Sequence, residues 1–326
     1  MRRHLIATTM AVVLTLFAAA CGDDGDGPVV QSGDSPETTT TGPTDDEAGA
    51  FPVTVAGDAG EVTLAERPEA IVSLSPTGTE MLFAIGAGDQ VVAVDEHSYF
   101  PPEAPVTDLS GFQPNIEAIA AYEPDLVLIS YDPGDVIDAL GELDVPVLLL
   151  DAALDLDGTY TQLEVLGAAT GNVGGAAEVV ASMQAELDEI VANLPEVDEP
   201  LTYFHELDDM LYTVTSDTFI GQMYERLGLV SIADEVEGAA ESGGYPQLSA
   251  EFVVDADPDI IFLADAECCG QSRETVAARP GWDQISAVRA GNVVVVDGDV
   301  ASRWGPRTVD LLREVADHVT AAVPAP

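Results

Sequence analysis

The stretch that decides the fold reads GGAAEVVASMQAELDEIVANL, residues 174–194, and Pro195 follows it. This spacing of apolar residues predicts an amphipathic helix, which the proline ends because it cannot continue the helical hydrogen bonds. It is the longest uninterrupted helical pattern in the chain. A single long helix is a stiff connector, so we expect limited movement between the parts that it joins. The apolar stripe consists of Ala176, Val180, Met183, Leu187, Ile190 and Leu194.

Strand patterns alternate with helical patterns on both sides of this helix. Such alternation is typical of a mostly parallel sheet that helices cover on both faces. We therefore predict an α/β fold of two Rossmann-like lobes with central parallel sheets, joined by a single long α-helix. The predicted strands are short apolar runs at 70–74, 91–94, 126–130, 145–150, 201–204 and 260–263.

Each lobe carries the same short block of sequence. The first reads NIE at 115–117, PD at 124–125 and then an apolar strand, and the second reads SAE at 249–251, PD at 258–259 and then an apolar strand. Both blocks predict a capped helix with Glu in its first turn, followed by a tight turn and a buried strand. Two similar lobes around one helix leave a cleft between them.

The chain begins with a basic and then apolar segment that ends in a cysteine. Residues 1–21 read as a signal peptide, too short to span a bilayer as a stable helix. The junction at Cys21 resembles a lipobox, although Ala18 stands where leucine is usual. We predict a lipoprotein signal peptide with lipidation at Cys21. Ordinary secretion with a free Cys21 is the alternative, and either one takes the chain out of the cytoplasm.

The remaining residues divide into four segments. Residues 22–50 are rich in Gly, Asp, Ser, Thr and Pro and bury too little apolar surface to fold, so we predict a disordered acidic tether. The predicted domains are an N-terminal α/β lobe at 51–172, the connecting helix at 173–195 and a C-terminal α/β lobe at 196–326. With a lipid on the cysteine, this order holds the lobes at the outer face of the cell membrane.

The charge of the chain excludes one class of partner. The formal net charge is -49, and all ten basic residues are arginines. Nucleic-acid affinity comes largely from Lys and Arg that neutralise phosphates, so the chain does not bind nucleic acid. The acidic, lysine-free surface is explained more simply by adaptation to a salty exterior or a GC-rich genome than by a functional patch.

Several blocks of sequence identify a family: IVSLSPTGTE at 71–80, YFPP at 99–102, the two Glu-to-Pro-Asp blocks and RWGPR at 303–307. They resemble the Fe/B12-type, or class III, periplasmic substrate-binding proteins of ABC importers, and their vitamin B12-binding members in particular. The likeness runs from about residue 67 to 319. It implies capture of a metal complex, namely cobalamin, an iron-siderophore or haem, and its delivery to an ABC permease dimer with its ATPase. It further implies a monomer with no cofactor and no bound metal ion of its own.

The resemblance gives a role to one glutamate in each lobe. It implies that Glu117 and Glu251 dock on arginines of the two permease subunits. The alternative is that a Glu in a first helical turn only complements the helix dipole. That alternative fits each residue alone but gives no reason for an equivalent Glu in each lobe.

Ligands of parallel α/β sheets bind beyond the carboxyl ends of the strands. The resemblance places the aromatic residues Tyr99, Phe112 and Tyr245 in the pocket, where they suit a large planar ligand. For each of them taken singly, ordinary packing is equally open. The expected ligand-binding residues are His97, Tyr99, Phe112, Tyr131, His205, Glu206, Tyr245, Cys268, Cys269, Asp299, Arg303 and Trp304.

Three of these residues have alternative roles that the sequence leaves open. Arg303 can pair with carboxylates of a siderophore or of haem, or internally with an aspartate such as Asp299. Cys268 and Cys269 can form a vicinal disulfide or remain thiols. Adjacent cysteines are unlike a zinc motif, which needs spacing between them.

Histidine supply separates capture of a metal complex from capture of a bare metal. A closed zinc site takes three or four ligands, and His97 and His205 contribute to one only if both converge with carboxylates. Either histidine can instead be an axial ligand of a complexed metal. Nucleophile-elbow, P-loop and HExxH patterns are absent from the sequence, so we predict no enzyme. The alternatives are a bare-metal (Zn, Mn or Fe) binding protein or a chelatase-like enzyme.

Overall fold

A computed structural model describes residues 51–323 of the chain. The predicted signal peptide, the lipidation at Cys21 and the tether at 22–50 lie outside the described residues. The strands are Val53–Gly57 (β1), Gly60–Leu64 (β2), Ile71–Leu74 (β3), Val91–Asp95 (β4), Val106–Leu109 (β5), Leu126–Ile129 (β6), Val147–Leu149 (β7), Leu201–Glu206 (β8), Leu229–Ser231 (β9), Ile260–Leu263 (β10) and Val293–Val295 (β11). The α-helices are Pro76–Ala84 (α1), Ile116–Ala120 (α2), Val136–Gly141 (α3), Leu156–Thr170 (α4), Val173–Ala192 (α5), Phe219–Arg226 (α6), Ala250–Ala256 (α7), Ala266–Cys269 (α8), Arg273–Ala277 (α9), Ser286–Ala290 (α10), Gly298–Ser302 (α11) and Thr308–Ala322 (α12).

Each lobe is built on a parallel sheet. The N-terminal sheet has the strand order β5-β4-β3-β6-β7, and the C-terminal sheet has the order β9-β8-β10-β11. Every strand pair within these two sheets is parallel. The central strands β3, β6 and β10 are buried on both faces, as expected for sheets that helices cover on both sides. The strands β1 and β2 form a separate antiparallel hairpin, which the sequence reading did not include.

The internal repeat of the sequence is also present in the structure. Strand β6 lies beside β3, and β10 lies in the same way beside β8. The Pro-Asp turns serve the same purpose in both lobes. Asp125 accepts hydrogen bonds from the backbone N–H of Glu69 and Ala70, at 2.9 and 3.0 Å, just before β3. Asp259 accepts from the N–H of Thr202 at 2.8 Å, in β8. Each aspartate therefore ties its turn to the neighbouring strand.

The connecting helix α5 forms as predicted and ends before Pro195. Its predicted stripe is buried, apart from Leu194, which lies just beyond the helix and is partly buried. Gly175 lets α5 approach α1, because a Cβ at this position would clash with the carbonyl oxygen of Ile85. The C-terminal helix α12 packs back against α5, a contact that the sequence did not predict.

One continuous apolar core runs through both lobes on the side of the two sheets that faces α5. It joins side chains of β3 and α1 to side chains of β10 and α12, while a smaller core covers the opposite face of each sheet. A shared, close-packed core resists relative movement of the lobes. The predicted fold class, two α/β lobes joined by a long helix, is confirmed. Among residues 51–323, no helix combines the length and apolar character that crossing a bilayer requires.

Candidate ligand cleft

A pocket of about 350 Å³ lies beyond the carboxyl ends of β3, β4 and β6. It opens to solvent, and residues of α11 and of the segment after it close its other side. This is the edge at which parallel α/β sheets bind their ligands. The pocket is lined by Leu74, Ser75, Pro76, Thr77, Asp95, His97, Tyr99, Gly111, Phe112, Ser130, Tyr131, Asp299, Ser302, Arg303 and Trp304.

Three aromatic rings form a shelf on the N-terminal side of the pocket. The ring of Phe112 meets the ring of His97 edge to face, with centroids 5.6 Å apart, and lies 6.0 Å from the ring of Tyr131. Phe112 is 64% exposed and Tyr131 is 39% exposed. Gly111 brings the shelf close to the strand ends, because a Cβ there would lie 2.9 Å from the carbonyl oxygen of Leu74. The shelf offers a wide, stiff apolar surface for a ligand to cover.

Tyr99 crosses the pocket to the other lobe. Its hydroxyl donates a hydrogen bond to the carboxylate of Asp299, in α11. The guanidinium of Arg303 lies 5.3 Å from the centre of the Tyr99 ring. Tyr99 is nevertheless 50% exposed, so a ligand in the pocket can reach it.

The charge of Arg303 is balanced inside the protein. Its guanidinium donates to Glu80 at 2.7 Å and to the carbonyl oxygen of His97 at 3.1 Å, and it lies 3.3 Å from Asp299. Arg303 is only 8% exposed. Of the two roles that the sequence left open, the structure contains the internal ion pair. Arg307, which precedes α12, also pairs with Glu80 and therefore has a structural role.

Asp95 is the acidic residue at the base of the pocket. It is buried at the end of β4, and its carboxylate accepts the backbone N–H of His97 at 3.0 Å. Burial raises the pKa of Asp95 above its ordinary value, although the hydrogen bond from the backbone N–H of His97 works in the opposite direction. The pKa of Tyr131 is also raised, by burial first and then by the charge of Asp95. In both Asp95 and Tyr131, burial thus favours the protonated form.

His205 and Glu206 correct the sequence-based expectation. Both were expected in the cleft, but both side chains are fully buried in β8. His205 Nδ1 lies 3.1 Å from the hydroxyl of Tyr224, and burial lowers the pKa of His205 to about 4. A neutral imidazole inside the sheet packing is a core residue. The two histidines therefore do not meet, because His97 lines the pocket whereas His205 is buried in β8.

Glu206 belongs to a buried polar cluster that the sequence did not reveal. Arg279 donates two hydrogen bonds to its carboxylate, at 2.6 and 2.5 Å. Asp265, which follows β10, is fully buried beside them, and neither of its carboxylate oxygens has a hydrogen-bond donor within residues 51–323. Burial, and after it the charge of Glu206, raises the pKa of Asp265 to about 7. No motif in the sequence indicates this cluster, because its members come from three separate segments of the chain.

Tyr245, Cys268 and Cys269 are exposed, but none of them lines this pocket. The two cysteines are free thiols in the structure, on the short helix α8. Their hydrogen bond to each other, followed by burial, raises the pKa of Cys268 to about 11. Seven of the expected ligand-binding residues thus come together in the pocket, namely His97, Tyr99, Phe112, Tyr131, Asp299, Arg303 and Trp304.

Glu117 and Glu251 occupy equivalent places in the two lobes. Each is exposed and is the second residue of its helix, α2 or α7. The side chain before each helix caps it. Asn115 accepts the N–H of Ala118, and Ser249 accepts the N–H of Phe252, both at 3.1 Å. The two carboxylates are therefore free to meet a partner.

Metal ligands do not cluster in the part of the chain that the structure describes. Within residues 51–323, no three His, Cys, Asp or Glu side chains converge in a way that could hold a metal ion.

The chain belongs to the periplasmic binding protein family, whose model matches residues 71–300. The pocket described above is built from this same region, with the segment just after it. Family members are binding proteins, which agrees with the prediction that the chain is not an enzyme.

Two curated proteins and one solved structure give the range of its relatives. The chain is 32% identical over 280 residues to an uncharacterised ABC transporter substrate-binding lipoprotein, YvrC, of Bacillus subtilis, a match that covers 82% of this chain and 86% of that protein. It is 30% identical over 323 residues to a cobalamin-binding protein of Halobacterium salinarum, covering 96% and 83%. A crystal structure from Staphylococcus epidermidis, described as a possible iron-binding (periplasmic solute-binding) protein, matches with a TM-score of 0.68 at 27% identity, covering 78% of this chain and 99% of the other.

Proposed function

We propose that the chain is the extracytoplasmic substrate-binding protein of an ABC importer and that it captures cobalamin, or a closely related corrinoid, in the cleft between its lobes. In this proposal a lipid on Cys21 tethers it to the outer face of the cell membrane, and it works as a monomer. The family membership and the relatives named above support the importer role. The choice among ligands rests on the residues that line the pocket.

One observation carries the choice of ligand: an exposed aromatic shelf faces an arginine whose charge is already balanced. Phe112 and Tyr131 present ring surface that a planar macrocycle can cover. The cavity of about 350 Å³ is open, so a ligand larger than the cavity can project between the lobes. These features favour a broad ligand that binds by stacking and shape.

The charges of the site disfavour an anionic ligand. Haem carries two propionates, and catecholate and carboxylate siderophores are anionic. The guanidinium of Arg303 is held by Glu80 and Asp299 and offers such a ligand no unpaired charge. The chain as a whole carries a formal charge of -49, which repels anions. Cyanocobalamin is neutral and aquocobalamin is cationic, so both avoid this penalty.

His97 is the histidine that can supply an axial ligand to the metal of the complex. Its ring lines the pocket, and its side chain is about half exposed. His205 is buried away from solvent and cannot reach a ligand without unpacking β8. A bare-metal site would need both histidines with further ligands, which this separation disfavours.

Docking on the permease uses Glu117 and Glu251. The two residues are exposed and stand at the same helical position in the two lobes. A pair of carboxylates, one on each lobe, suits a partner that presents one basic site on each of two similar subunits. The stiff connection through α5 keeps the two docking points at a fixed separation.

A ligand panel tests the proposal. The full chain is mixed in turn with aquocobalamin, cyanocobalamin, haemin, a ferric hydroxamate, a ferric catecholate, Zn²⁺ and Mn²⁺, and thermal stability and visible absorption are recorded. We expect both cobalamins to raise the melting temperature in proportion to RT ln(1 + [L]/Kd). If His97 ligates cobalt, the absorption of aquocobalamin also changes.

Other responses to the panel would contradict the choice of cobalamin. Stabilisation by haemin or a ferric siderophore alone would replace cobalamin as the ligand and keep the importer role. Stabilisation by a bare metal ion alone would favour a bare-metal binding protein. Chemical change of haemin or of a siderophore, with release of free iron, would favour a chelatase-like enzyme.

A further inference from the structure

The segment Arg303–Arg307, called the strap below, leaves the C-terminal lobe after α11 and lies against the N-terminal lobe. Within it, the indole N–H of Trp304 donates to the side chain of Gln162 at 2.9 Å. The hydroxyl of Thr159 donates to the carbonyl oxygen of Trp304 at 3.0 Å. Both partners are on α4, so the strap joins the lobes at the cleft as well as through α5.

Glu80 anchors both ends of the strap. It lies on α1 of the N-terminal lobe and is 3% exposed. It accepts a hydrogen bond from Arg303 at 2.7 Å and two from Arg307, at 2.9 and 2.5 Å. These two arginines flank Trp304 in the sequence. One buried carboxylate therefore fixes both ends of the five-residue segment that contains the tryptophan.

Glu80 does not line the pocket, whereas Arg303 and Trp304 do. Two carboxylates, of Glu80 and Asp299, balance the two guanidinium groups of Arg303 and Arg307. Removing one member of a buried ion-pair network leaves an uncompensated charge behind, which is strongly unfavourable. Loss of Glu80 would leave two arginines close together, with Asp299 paired to Arg303 and no direct ion pair left for Arg307 among the described residues. Repulsion between the two guanidinium groups, and the loss of their anchor on α1, then favour movement of the strap away from α1.

We propose that Glu80 is a positioning residue of the ligand cleft: by binding Arg303 and Arg307 it holds Trp304 against the pocket and fixes the separation of the lobes there. The proposal rests on the proposed function in so far as the pocket holds the ligand. It goes further, because it assigns the geometry of the pocket to a buried residue that no ligand touches.

The two tryptophans of the chain allow a test that needs no ligand. Trp282 is buried in the core of the C-terminal lobe, and Trp304 belongs to the strap. In a Trp282→Phe background, Trp304 is the sole tryptophan and its fluorescence reports on the strap. We expect Glu80→Gln to move the Trp304 emission to longer wavelength and to increase its quenching by acrylamide. The affinity for cyanocobalamin falls about tenfold, within the range that couplings in one ion-pair network produce.

Glu186→Gln is the matched control. Glu186 pairs with Arg313 and so joins α5 to α12, outside the pocket. This change also removes one carboxylate from an arginine pair, and we expect it to alter neither the Trp304 emission nor the affinity. If Glu80→Gln does not fold, the double change Glu80→Met with Arg307→Met removes opposite charges together and leaves Arg303 paired with Asp299. The same red shift is expected from it.

Unchanged Trp304 emission and quenching in a folded Glu80 variant would overturn the inference. So would a loss of affinity equal to that of the Glu186 control. Failure of the unaltered chain to bind any corrinoid would instead refute the proposed ligand. The fluorescence result would then still decide the role of Glu80, since it is measured without a ligand.

Discussion

The buried carboxyl group of Asp265 should make the stability of the protein depend on pH. Its side chain is fully buried, and neither carboxylate oxygen has a hydrogen-bond donor among the described residues. The carboxylate of its neighbour Glu206 accepts two hydrogen bonds from Arg279. Burial, and after it the charge of Glu206, raises the pKa of Asp265 from 3.8 to about 7.

The direction of the pH effect follows from this raised pKa. Between pH 3.8 and about 7, the folded protein keeps a proton on Asp265 that the unfolded chain has already lost. Because the folded state binds more protons, the free energy of unfolding falls as the pH rises through this window and levels off above it. From pH 5 to pH 8 this one group removes about 3 kcal/mol of stability, at 1.36 kcal/mol for each pH unit below the pKa of the folded state.

Asp265→Asn should abolish this loss. The amide cannot ionise, it has nearly the same shape, and its NH₂ group can donate to Glu206. We expect the variant to be more stable than the parent at pH 8, and its advantage to be larger at pH 8 than at pH 5 by about 3 kcal/mol. Urea unfolding followed by circular dichroism at both pH values, at constant ionic strength, measures both quantities.

Asp283→Asn is the control, since Asp283 is exposed in the same lobe. It should shift the unfolding curve little and by the same amount at both pH values. An advantage of Asp265→Asn that is the same at pH 5 and pH 8 would refute the raised pKa. A variant less stable than the parent at pH 8 would refute the account of the buried pair.

Three further predictions concern the docking residues, the aromatic shelf and the thiols. Replacing Glu117 and Glu251 together with Ala should leave cyanocobalamin affinity unchanged and abolish transport in vesicles containing the permease; lost affinity would contradict the docking role. Phe112→Ala should weaken ligand binding roughly 5- to 30-fold through the loss of about 1–2 kcal/mol of ring contact, and Phe252→Ala, an exposed Phe outside the pocket, should not. Iodoacetamide should modify Cys268 slowly at pH 8 and much faster near pH 11, because its hydrogen bond to the adjacent thiol raises its pKa to about 11; fast modification at pH 8 would contradict the raised pKa.

The sheets and the connecting helix could be predicted because their signals are local. Apolar runs such as 126–130 and 260–263 are long enough to mark buried strands, and the stripe in α5 marks one packed face. The hairpin of β1 and β2 escaped prediction, because its short strands are only partly buried and carry few apolar residues.

The cleft was predictable more fully on its N-terminal side: on the other side Asp299, Arg303 and Trp304 line the pocket as expected, whereas His205 and Glu206 do not. Residues 97, 99, 112 and 131 follow strands directly, so the rule for parallel sheets places them at the correct edge. The prediction that His205 lies in the cleft was wrong, because β8 is buried along nearly its whole length. Such a strand shows no alternation of polar and apolar residues to tell which face a side chain occupies.

The ion pairs between distant parts of the chain could not be predicted from the sequence. Glu80 and Arg303 are separated by 223 positions, and Glu206 and Arg279 by 73. The scarcity of basic residues marked Arg303 as important, and its nearby partner Asp299 was one of the two possibilities considered. Its pairing with Glu80 was not foreseen, because it depends on the packing of the strap against α1.

Calorimetric titration of cyanocobalamin into the full chain, alongside a chain carrying Phe112→Ala and Tyr131→Ala, tests the central claim most directly. The account predicts one ligand bound per unaltered chain, and an affinity at least about tenfold lower when two of the three rings of the shelf are removed. Absence of binding to the unaltered chain, or equal affinity in the two proteins, would contradict the claim that this cleft holds the ligand.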